Sequence, residues 1–212
     1  MTEAQWLANV DRLGNLFDFA QSTLPERPFR LKVAAIVSAW GYWAEKVKLN
    51  DFTVRAFKLL EFAADGSALQ SDVDDLRSEL RRAGGDWRTA VAHWAIGILW
   101  PDDGNDMPAT EATYISNSIS EAISRTNQAA IIREVFGNPF RPVAFNPAWR
   151  TDTAIAIART MYDSREFGAM PILADALQDA GCEDEAILNH CRDANQPHVR
   201  GCWVVDLVLG KE

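Results

Sequence analysis

Apolar residues recur at three- and four-residue intervals along most of the chain, a spacing that predicts helix after helix. Residues 3–24 carry Trp6, Leu7, Val10, Leu13, Leu16, Phe17 and Phe19 at helical spacing, with a break expected at Gly14. After Pro25 and Pro28, the stretch Phe29 to Lys48 places Val33, Ile36, Val37, Trp40, Trp43 and Val47 on one stripe, the best candidate for a central helix of the first half. Asp51 to Ala64 repeats the pattern with Phe52, Phe57 and Leu60. Ser71 to Ala83 buries only Val73, Leu76 and Leu80 and reads as a surface helix stopped by Gly84-Gly85. Further helices are expected from Asp86 to Ile98, from Ala109 to Thr126, and from Gln128 to Phe136. Beyond residue 150 the pattern predicts helices after Thr151, over Ala169 to Ala180, over Glu185 to Arg192 and over Gly201 to Leu209. Gly181 sits where a left-handed C-terminal cap belongs, with Cys182 as its apolar partner, and Gly210 ends the final helix. The run CWVVDLVL is rich in β-forming residues, so a strand competes with the helical reading there, but no partner strand is evident.

One stretch breaks the rhythm. In FGNPFRPVAFNPAW, residues 136–149, Pro139, Pro142 and Pro147 each remove a backbone donor and push the preceding residue out of the α region. The same stretch carries Phe136, Phe140, Val143, Phe145 and Trp149, too much apolar surface for a solvated linker. It is expected to be an ordered, mostly extended strap on which neighbouring helices dock. The run PDDGNDMP at 101–108 is the polar counterpart and the natural place for a linker between lobes 1–100 and 109–212, within one domain or two.

Composition narrows the class. Hydrophobic residues are 48% of 212 and charged residues 24%, so the chain can build a sizeable core without a disulfide or metal. The net charge of −9 and the lack of a Lys/Arg run argue against nucleic acid, whose phosphates need basic partners, and against an anionic membrane surface. MTEAQWLANV has no basic segment followed by an apolar one, and the longest apolar runs are too short to span a bilayer. Three cysteines without an export signal suggest free thiols in a reducing cytoplasm.

The segments MTEAQWL, RPFRLKVAAIVSAW, FGNPFRPVAFNPAW, ILADALQDAGC and PHVRGCWVVDLVLGKE resemble an uncharacterised family of planctomycete bacterial proteins. The resemblance covers most of the chain and is strongest after Phe136. It implies a soluble bacterial protein whose C-terminal third is its signature, and carries no activity, cofactor or catalytic residue with it.

Candidate chemistry concentrates in that third. Cys182, His190, Cys191, His198 and Cys202 are the right residue types for zinc. Against this, no C-x2-C knuckle is present, and a helix between Cys182 and Cys191 would hold them on the order of 13 Å apart. Ligands of one zinc must lie within roughly 4 Å of each other. Thiols filling core space are therefore the preferred reading, and no cofactor is expected. Cys202 and His198, four residues apart, form a weaker nucleophile–base candidate, because the head of an apolar run favours a buried, inert thiol. Asp206 inside WVVDLVL needs a partner such as Arg200, Arg141 or Arg150, and a salt bridge is preferred over a general base. His93 reads as a packed helix residue, and Trp40-Gly41-Tyr42-Trp43 as core rather than a stacking platform. No P-loop, dinucleotide fingerprint, nucleophile elbow, zincin or EF-hand pattern occurs.

These observations predict an all-α protein of antiparallel helical hairpins around a proline-aromatic strap. The function they favour is a non-enzymatic module that binds another protein, with Arg141, Trp149, His198, Arg200 and Asp206 as the candidate functional cluster. The alternative is an enzyme or metal protein with its site around Asp206, His198 and Cys202.

Overall fold

The computed structural model describes residues 1–43, 51–64, 70–82, 92, 95–96, 113, 115–117 and 123–211. Among them the regular structure is helical throughout, and no strand occurs. The chain divides into two compact units, Met1–Ile132 and Arg133–Glu212. The linker expected at 101–108 lies outside the described residues, as do Asp86 and His93 and the side chains of Tyr42 and Trp43.

In the first unit, α1 (Glu3–Ala8) opens with a capping box: Thr2 accepts from the Gln5 amide, and the Gln5 side chain accepts from the Thr2 amide. Then come α2 (Leu13–Thr23), α3 (Glu26–Trp43), α4 (Asp51–Ala64) and α5 (Gln70–Arg82). The break expected at Gly14 falls earlier, over residues 9–12, where the Asn9 side chain bonds the Arg12 backbone and turns the chain. α3 begins before Pro28 because proline is tolerated in a first turn, where amides have no helical partner. Its stripe buries Phe29, Val33, Ile36, Val37 and Trp40, and the Trp40 ring meets Phe17 of α2 edge-on at 5.9 Å.

Helix α6 (Arg125–Phe136) crosses the division between the units and ends at Gly137, whose φ of +70° is the left-handed conformation that stops the helix. The second unit contains α7 (Asp152–Ser164), α8 (Met170–Asp179), α9 (Glu185–Arg192) and α10 (Trp203–Leu209). Thr151 caps α7 by accepting from the Ala154 amide, and Asp184 caps α9 by accepting from Ala186 and Ile187. α8 closes as its sequence predicts. Gly181 is left-handed, the Cys182 amide donates to the Leu177 carbonyl at 2.9 Å, and the Cys182 side chain is buried. The CWVVDLVL run is helix, ended by left-handed Gly210.

The strap is non-helical from 137 to 146 and then makes one 3-10 turn, Pro147–Trp149. Val143, Phe145 and Trp149 pack half-buried against the core formed by α7, α8, α9 and α10. Phe145 and Trp149 meet edge-on at 5.4 Å. Arg150 fixes the strap's end to α10: its Nε and Nη2 both donate to the Leu207 carbonyl, at 3.0 and 2.9 Å, alongside the Gly210 amide that reaches the same oxygen at 3.3 Å.

Candidate metal centre

Four side chains of the second unit converge. Glu134 projects from the last turn of α6, His190 from the last turn of α9, His198 from the loop after it, and Cys202 from the N-cap position of α10. One ligand atom from each lies within 4.8 Å of all the others. His198 Nδ1 is 2.9 Å from Glu134 Oε1, and His190 Nε2 is 3.3 Å from both Glu134 Oε2 and Cys202 Sγ. The Glu134 side chain and Cys202 are fully buried, and the side chains of His190 and His198 are only 12% and 9% exposed.

Local sequence explains how this arises. On α6, Gln128, Ile131, Ile132 and Val135 form the buried stripe, and Glu134 falls on it three residues after Ile131. On α9, Ile187, Leu188 and Cys191 bury the inner face and bring His190 in beside them. The loop after α9 is turned by Asp193, which accepts from the Asn195 amide, and then by Gly201 at φ +91°. That left-handed glycine redirects the chain so that Cys202 enters the core at the head of α10.

The electrostatics are those of a buried carboxylate among imidazoles. Burial pushes the Glu134 carboxyl up, but the His190 and His198 imidazoles lying 3.3 and 2.9 Å from its oxygens outweigh burial and hold the group at about 2, so it is ionised. Its Oε1 accepts from His198 Nδ1–H. Its Oε2, within reach of His190 Nε2, makes no well-formed hydrogen bond. His190 Nε2 lies equally close, 3.3 Å, to Cys202 Sγ. On the other edge of that ring, the Trp203 indole N–H donates to His190 Nδ1 at 3.2 Å. The Cys202 thiol is pushed well above its ordinary range, first by burial and then by the Glu134 charge, so without a metal it stays protonated.

Three of the five cysteine and histidine candidates thus come together, and Glu134 joins them. Cys182 and Cys191 lie outside the set and fill the core, with the Cys191 thiol pushed by burial to about 12. The separation argument from the sequence concerns only that pair. Glu134 carried a usable signal, an acid on the apolar stripe of a helix, which the flanking Arg133 disguised as surface charge. Of the other candidates, Arg141 is exposed and Trp149 packs on Phe145. The Arg200 guanidinium lies 4.3 Å over the Tyr162 ring, shared with Lys211 Nζ at 4.0 Å. Asp206 is half-buried in α10. None of these four belongs to the converging set.

The donor chemistry is two imidazole nitrogens, a carboxylate and a thiol. Calcium and magnesium take oxygen ligands, whereas this mixed N, O and S set suits zinc or a similar transition ion. Zinc bonds of about 2.0–2.3 Å in tetrahedral geometry put donor atoms roughly 3.3–3.7 Å apart, within the range these side chains span. Compared with protein-family models, curated proteins and solved structures, the chain has no match in any of the three.

Proposed function

We propose that residues 133–212 form a metal-stabilised helical module in which Glu134, His190, His198 and Cys202 hold one zinc ion in a structural role. The observation that carries this reading is the convergence of four ligand atoms within 4.8 Å of one another, among them the second carboxylate oxygen of Glu134, which is buried, ionised and poorly hydrogen-bonded beside an imidazole and a thiol. Leaving such an oxygen unsatisfied costs about 1–3 kcal/mol or more, and a cation at that point removes the penalty.

A structural role follows from closure. Catalytic zinc keeps a position open for water or substrate, whereas four protein ligands fill a tetrahedral shell. The burial of all four side chains fits the closed case. A use for the ion is also clear. The unit is roughly 80 residues long, a size at which a single core supplies only a few kcal/mol. One ion would tie the end of α6, the end of α9, the following loop and the start of α10, segments up to 68 positions apart in sequence. The buried, protonated Cys202 thiol does not support a nucleophile, which needs a lowered pKa and access.

The test is metal analysis of the purified full chain after exhaustive dialysis, stripped and then reloaded with zinc. The expected result is one equivalent in the parent protein and none in Glu134→Gln, with both chains equally helical by circular dichroism at low temperature. Equal metal content in the two would remove Glu134 from the shell. None in either would remove the metal.

A further inference from the structure

The Trp203 indole is a donor only, so its hydrogen bond to His190 Nδ1 requires that nitrogen to be bare. The proton of a neutral His190 must then sit on Nε2, the nitrogen that faces Glu134 and Cys202. Nε2 is also the atom that the centre offers to a metal. A metal can bond Nε2 only if the proton leaves it, and a neutral ring then carries that proton on Nδ1. Two N–H groups would face each other across 3.2 Å, and the contact turns from attractive to repulsive.

From this geometry, which rests on the metal reading above, we infer that Trp203 is a positioning residue that opposes loading and reports it. The Trp203–His190 hydrogen bond holds the metal-free centre in a closed form, and occupancy releases the indole. The proton count on His190 does not change between the two forms, only the nitrogen that carries it. The indole is well placed to transmit the change. Its ring centroid lies 5.1 Å from that of His190, and its Cγ sits 3.3 Å from where a side chain on Gly137 would begin. Trp203 is half-buried and is the first residue of α10, so an indole freed from His190 can turn its N–H toward water without leaving a buried donor unpaired. Metal occupancy is thereby coupled to the junction between the end of α6 and the start of the strap. A Cβ at residue 137 would crowd the same ring, so glycine there serves Trp203 as well as the left-handed turn.

The experiment is two-dimensional 1H–15N NMR on the full chain, stripped and then titrated with zinc, with the Trp203 indole and the His190 ring nitrogens assigned through Trp203→Phe and His190→Gln. In the metal-free protein the His190 proton is expected on Nε2. On loading it is expected on Nδ1, with the Trp203 indole proton moving upfield as its hydrogen bond breaks. Trp203→Phe keeps an aromatic ring but removes the donor and is expected to bind zinc about 5- to 10-fold more tightly, the equivalent of losing one competing hydrogen bond. Zinc binding with the indole resonance unmoved, or a His190 proton on Nδ1 before loading, overturns the inference and leaves the metal centre standing. A stripped chain in which the Trp203–His190 pair is not formed overturns it too, since no closed form then exists. If the parent chain takes up no zinc, the metal reading falls and this inference falls with it. The indole and ring readouts come from the parent chain, so they remain decisive if Trp203→Phe fails to fold.

Discussion

Gln128 and Glu134 both project from α6 and both are buried, yet their surroundings are built on opposite plans. The Gln128 amide is satisfied by protein alone. Its Nε2 donates to the Ile123 carbonyl at 2.8 Å and the Ser116 carbonyl at 3.3 Å, its Oε1 accepts from the Ser116 hydroxyl, and Arg125 donates to that hydroxyl in turn. The Glu134 carboxylate is charged and has one oxygen only poorly hydrogen-bonded, surrounded by groups that bind metals. A closed polar network adds rigidity and needs nothing further. An open one with a net charge has a place for a ligand. Burial alone does not mark a functional residue; the unfilled bonding capacity beside it does.

Three measurements sharpen that contrast. The largest effect is expected from stripping the metal. Hydrogen exchange should accelerate across α9, the following loop and α10, while amides of α2, α3 and α4 keep their protection. Free zinc at 1,000 times its Kd should restore about 4 kcal/mol. Acceleration spread evenly over the chain would mean that the ion, if bound, is not where these side chains meet. Next is the acid limb of the metal-free protein. The folded Glu134 pKa, about 2, lies below that of an unfolded carboxylate, so its contribution is fully present above the usual carboxylate range and is lost as pH falls toward about 2. The shift corresponds to stability on the order of 3 kcal/mol, and denaturant titrations from pH 6 to 2 should show a shallower decline in Glu134→Gln than in the parent. Parallel declines would contradict the assigned charge. The smallest effect is Gln128→Ala, expected to cost about 1–3 kcal/mol by orphaning its partners, with zinc stoichiometry unchanged. Lost zinc binding in that variant would dissolve the distinction between the two sites.

Much of the fold was legible in the residues. The stripes that place Trp40, Leu60 and Leu76 in cores, the left-handed stops at Gly181 and Gly210, and the strap's non-helical course all follow from local periodicity and proline chemistry. Boundaries were less so: the break near Gly14 moved because a side-chain turn at Asn9 acted first. The candidate site was half legible. His190, His198 and Cys202 announced their chemistry by type, but their convergence depends on a loop turned by Asp193 and Gly201, which no helical period encodes. Glu134 lies 56 positions before His190 and meets it only through packing. The cluster drawn around Arg141, Trp149, His198, Arg200 and Asp206 joined the strap to the C-terminal run, and only His198 from that group enters the converging set.

Cobalt(II) substitution followed by electronic absorption tests the central claim most directly, because it reads both geometry and ligand identity at one ion. The full chain loaded with one equivalent of cobalt should show the intense visible bands of a tetrahedral site and a near-ultraviolet thiolate-to-cobalt band. That near-ultraviolet band should vanish in Cys202→Ser and persist in Cys182→Ser and Cys191→Ser. A fully folded chain that yields only the weak spectrum of hydrated cobalt, or a thiolate band that survives Cys202→Ser, would contradict the assignment of Glu134, His190, His198 and Cys202 as a metal centre.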